Sequence, residues 1–124
     1  MGALDWVERR TGQALLGAMF MKLGFDAARS PGPRVDKAAG LGISDPALAV
    51  RVNGAAMVAG GAALALDKVP RLAALGLIGS MIPTTVAGHA FWEAQGPERK
   101  AQAVQFNKNL GLIGGLVLVL TRRR

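Results

Sequence analysis

The chain has 124 residues with 17 Gly, one His, no Cys and no Tyr, a length that suits one domain and a composition unlike β-rich or disulfide-stapled proteins. Lacking cysteine and having a single histidine, it offers no thiol redox chemistry, too few soft ligands for a structural zinc site and no bis-His haem ligation. The formal net charge is +7, but Lys and Arg stand in small groups between long uncharged runs rather than in one basic stripe, which points away from nucleic acid and towards a membrane.

Four apolar segments follow in chain order, each predicted as a helix. The first covers residues 8–26 and reaches across a bilayer only if Lys22 extends to the interface. Asp5 and Glu8 ahead of its apolar run, and Lys22 closing that run early, count against a cleavable leader. The stretch from Ser30 to Pro46, rich in Pro, Gly and Asp, reads as a polar loop. The second segment, 46–66, is about one bilayer thickness long and holds one charge, Arg51. LDKVPR then makes a tight turn, and Pro46 and Pro70 suit the first turns of the helices they open.

The third segment, 70–92, is free of charge between Arg71 and Glu93. Pro83 falls inside it and is predicted to kink it, with Ser80, Thr84 and Thr85 at hand for freed backbone groups. EAQGPERKAQ reads as a second polar linker, and the fourth segment, 105–121, completes the set. Small residues recur along these segments: Gly76, Ser80, Thr84 and Gly88 on the third, Gly111 and Gly115 on the fourth, and Ala55, Ala59 and Ala63 on the second. Such ridges let helix backbones approach in lipid, where apolar faces alone provide little drive to associate. The fold class predicted is all-α, an integral membrane four-helix bundle forming one domain over residues 1–124.

With both termini and the LDKVPR turn on one side, that side holds Arg9, Arg10, Lys68, Arg71 and Arg122 to Arg124 close against the helix ends. The opposite side carries Arg29, Arg34, Lys37, Arg99, Lys100 and Lys108, most of them in longer loops. The basic excess at helix ends places both termini in the cytoplasm. Lys22, Arg51, Asn53, His89, Asn107 and Asn109 all fall towards the outer side by helix rise, and polar groups at membrane depth need partners. Arg51, Asn53, His89 and Asn109 are therefore expected to share a polar layer, as a structural network or a ligand site. Trp92 and Phe91 mark the interface where the third helix leaves the membrane.

RVNGAAMVAGGAALAL, then PRLAALGLIGSMIPTTVAGHAFWE, then QFNKNLGLIGGLVL, resemble the DoxX family of small bacterial membrane proteins. The most specific pieces are the Gly-His-x-Phe-Trp ending of the third segment and the Lys-Asn-Leu…Gly-Gly opening of the fourth. The resemblance implies a four-helix protein of the bacterial plasma membrane, linked to redox and oxidative-stress complexes, in a family named for a subunit associated with a terminal quinol oxidase. An accessory or scaffold subunit is the leading expectation, with lipid and a membrane-protein partner or a second copy as its contacts. A module binding a quinone or lipid through Arg51, Asn53, His89, Trp92 and Asn109 is the alternative. No catalytic residue, metal, cofactor or nucleic-acid partner is expected.

Overall fold

The computed structural model describes residues 2–122 and is all-helical among them. Its elements are α1 (Ala3–Arg29), α2 (Arg34–Ala39), α3 (Pro46–Ala65), α4 (Pro70–Gly88), a 3-10 turn at Phe91–Glu93, and α5 (Gly96–Thr121). Three stretches are long and apolar enough to cross a membrane: Pro46–Ala65, Pro70–Glu93 and Gly96–Thr121. Their outer faces stay apolar, with Leu72, Val104 and Leu118 each about two-thirds exposed. Exposed side chains of this kind on helices of this length are what lipid surrounds.

Local chemistry explains the helix ends. The Asp5 carboxylate accepts from Gly2 N at 3.0 Å at the start of α1. Asp45 caps α3 by accepting from Leu48 N at 3.2 Å, with Pro46 in the first turn. The turn between α3 and α4 is tight enough to hold two non-glycine residues at positive φ, Asp67 at 58° and Val69 at 41°. For β-branched Val69 that left-handed conformation is a strained one, held by the elements on either side.

Several boundaries differ from the sequence reading, beginning with α1, which runs Ala3–Arg29 rather than 8–26. The fourth long helix opens at Gly96 rather than at 105, so most of the expected EAQGPERKAQ linker is helical. Pro97 in the first turn and Glu98 near the positive helix end act there as start signals. The expected loop from Ser30 to Pro46 contains the short helix α2. The third long helix stops at Gly88, leaving His89 as its C-cap, while its helical assignment runs unbroken through Pro83.

The tightest packing joins α1 to α3. Gly17 and Gly24 on α1 face Gly61 and Gly54 on α3, seven residues apart on each helix and in antiparallel register. A Cβ added at Gly61 would sit 2.6 Å from the Gly17 carbonyl oxygen, and one at Gly54 would sit 2.5 Å from that of Gly24. Only hydrogen in place of a side chain permits backbones this close. Phe20 of α1, Met57 and Leu64 of α3, Leu77 and Met81 of α4 and Leu116 of α5 meet in the buried core beside this seam. Contact between α1 and α5 is sparse by comparison, which leaves that side of the assembly open.

Candidate functional site

The side chains expected to form one outer polar layer each bond to a partner outside the set, Arg51 tying α3 to α1, Asn53 tying α3 to α4, and both Asn109 and His89 linking α4 and its C-cap to α5. Arg51, exposed near the start of α3, donates from Nη1 to the Ala28 carbonyl of α1 at 2.8 Å. Asn53 accepts from the Ser80 hydroxyl of α4 at 2.8 Å. Buried Asn109 of α5 donates to the Thr85 hydroxyl of α4 at 3.2 Å. His89 pairs its Nδ1 with Gln102 Oε1 of α5 at 2.8 Å. Trp92 meets Phe91 and Phe106 edge-to-face, with ring centroids 5.3 and 5.7 Å away. No hydrogen bond links Arg51, Asn53, His89, Trp92 or Asn109 to another of the five.

The small residues expected at helix contacts are also spread out. A Cβ at Gly76, Gly88 or Gly111 would meet nothing within 4 Å, and one at Gly115 would meet Leu16 at an ordinary 3.5 Å. Thr84 turns its hydroxyl back on its own helix, donating to the Ser80 carbonyl at 2.9 Å. Gly76 and Ser80 instead line a shallow groove between α3 and α4 together with Ala56, Ala59, Gly60 and Ala63, with a volume of about 310 Å³.

A second polar centre, at the end where α1 begins and α5 finishes, was absent from the sequence reading. Asp67 in the α3–α4 turn accepts from Arg9 Nη1 at 2.7 Å and from Gln13 Nε2 at 2.9 Å, and Arg10 lies 3.9 Å away. Gln13, 1 % exposed, also donates to the Leu64 carbonyl at 3.1 Å and accepts from Arg122 Nη1 at 3.2 Å. Arg71 donates to the Arg122 backbone carbonyl. The cluster thereby fastens α1, the α3–α4 turn, α4 and the end of α5. One signal pointed to it: Gln13 is the single polar side chain in the stretch from Gly12 to Met21, and a buried amide there requires partners.

Beside this cluster a groove of about 420 Å³ opens between α1 and α5, walled by Leu15, Leu16 and Met19 on one side and Leu112 and Leu118 on the other, with Gln13 and Arg122 at one end.

Apolar helices of spanning length, lipid-suited outer faces and polar side chains paired helix to helix define an all-helical membrane protein. The DoxX family model matches residues 12–90, more than half of the chain, and the chain belongs to the DoxX family. That match takes in α3, α4 and the Gly-His-x-Phe-Trp sequence as far as Ala90, whereas α5 and its Lys-Asn-Leu…Gly-Gly opening lie beyond it. No curated protein and no solved structure matches the chain.

Proposed function

We propose that this protein is a scaffold or accessory subunit of a bacterial plasma-membrane complex, crossing the bilayer four times with both termini in the cytoplasm. The observation that carries the scaffold reading is the α3–α4 groove, lined by small residues of which Ala59 and Gly76 are exposed and a Cβ at Gly76 would meet nothing within 4 Å. Small residues facing outward give a partner helix a place to approach closely, which is how helices associate where apolar burial provides little drive. The four-span topology is supported by α1, which is 27 residues long and carries one charge, Lys22, between Thr11 and Phe25. A link to redox or oxidative-stress complexes follows from the family resemblance. The alternative, a quinone or lipid held by Arg51, Asn53, His89, Trp92 and Asn109, has less support, because the four polar members already bond to other partners in separate places.

Photo-crosslinking in intact membranes tests the scaffold reading. A photoreactive residue at Ala59 or Gly76 is expected to trap a discrete membrane protein, or a second copy, that the same residue at lipid-facing Val86 does not. Identical adduct patterns at all three positions would rule the groove out as a docking surface.

A further inference from the structure

The groove between α1 and α5 differs in kind from the one between α3 and α4. It is walled by large apolar side chains, and one end opens on cations: Arg122 lines it, with Arg71 bonded to the Arg122 carbonyl. Arg9 and Arg10 share Asp67 nearby, whereas Arg71 and Arg122 make no ion pair among the described residues. Gln13 Oε1 engages one of the five N–H donors of Arg122, and the others are free to meet an anion.

The dimensions fit one leaflet. From Arg122 to Leu112 the groove follows ten residues of α5, about 15 Å at the α-helical rise. That is half the roughly 30 Å thickness of a bilayer's hydrocarbon core. A membrane helix from a second copy would run the full depth, and in parallel orientation it would bring another positively charged end against this one. A single lipid matches both the depth and the charge.

We propose that the α1–α5 groove is a binding site for an anionic phospholipid, with one acyl chain between Leu16 and Leu118 and the headgroup phosphate on the Arg122 guanidinium. The proposal rests on α1 crossing the bilayer, as in the four-span reading. Guanidinium and phosphate form paired charge-assisted hydrogen bonds, so selectivity for the anionic headgroup resides at Arg122 while the apolar walls hold the chain. Gly12 lines the groove and a Cβ there would meet nothing within 4 Å. A larger side chain at that position therefore fills the groove without touching the helix seams.

The test is native mass spectrometry of the full-length protein in mild detergent, washed and then exposed to equal amounts of dioleoyl phosphatidylglycerol and dioleoyl phosphatidylcholine. About one phosphatidylglycerol per chain is expected to be retained, in at least tenfold preference over phosphatidylcholine. Arg122→Gln should remove most of that preference, Arg122→Lys should restore part of it, and Gly12→Leu should lower retention of both lipids while helicity and elution volume stay unchanged. Equal retention of the two lipids, or retention indifferent to Arg122→Gln, overturns the proposal. So does a dimer that Gly12→Leu converts to monomer, because the groove then holds a second copy. Cysteine labelling of α1 in the same preparations reads its topology separately: selectivity lost while α1 spans sinks the lipid site alone, and α1 lying outside the bilayer sinks the four-span reading as well.

Discussion

Asp67 is the residue on which the terminal polar centre converges. Its carboxylate faces Arg9, whose side chain is 13 % exposed, while its own is 16 % exposed, so neither partner is readily rehydrated when the other is removed. Replacing Asp67 by Ala leaves a largely buried guanidinium and the Gln13 amide short of an acceptor, a change that costs about 3 kcal/mol for pairs of this kind. The Lys22–Asp26 pair on α1 is a useful contrast, because its side chains are 75 % and 48 % exposed and pairs so solvated contribute at most about 0.5 kcal/mol. Thermal unfolding in detergent should therefore show a marked loss for Asp67→Ala and almost none for Asp26→Ala. Equal shifts would mean that the cluster does not fasten the helix ends.

At the scale of elements, the α1–α3 seam sets how close the helices come. Gly61→Ala drives a methyl group against the Gly17 carbonyl and the Met21 amide, an overpacking worth about 1–3 kcal/mol. Gly111→Ala meets nothing within 4 Å and exchanges a flexible helical glycine for the best helix former, a gain of up to about 1 kcal/mol. Melting curves of the two variants should move in opposite directions, and a loss at Gly111→Ala would show that this glycine already packs against a partner. The lengths and apolar character of α3 and α4 were legible in the sequence because Pro46, the LDKVPR turn and uncharged runs bound them. The seam was not recognised, since in a chain with 17 glycines four-residue spacings arise on every helix. What distinguishes Gly17, Gly24, Gly54 and Gly61 is the same seven-residue interval on two helices, a relation between segments that reading each one alone does not expose. The partners of the polar residues were not legible for a related reason: helix rise sorts residues by depth, but Asn53, His89 and Asn109 find partners by azimuth, which depends on which helices are neighbours.

For the whole molecule the outstanding quantity is orientation. The structure gathers Arg9, Arg10, Arg71 and Arg122 at the end of the α3–α4 turn, the end that the proposed topology, argued from the charge rule, puts in the cytoplasm. In intact cells an impermeant maleimide should modify Asp36→Cys, in α2 at the opposite end, and spare Lys68→Cys in the turn; the reverse pattern inverts the topology. The glycine seam carries one more consequence, for biogenesis. α1 leaves the ribosome before α3, the helix it grips most closely, and 36 residues separate the end of α1 from the end of α3. At about 5–20 residues per second, synthesis leaves α1 without its partner for roughly two to seven seconds. During that interval the most highly charged of the long helices has neither Gly54 and Gly61 to pack on nor Asp67 to neutralise Arg9. Until α3 and the turn after it have been made, α1 lacks its closest partner, and their arrival completes both the seam and the ion pair.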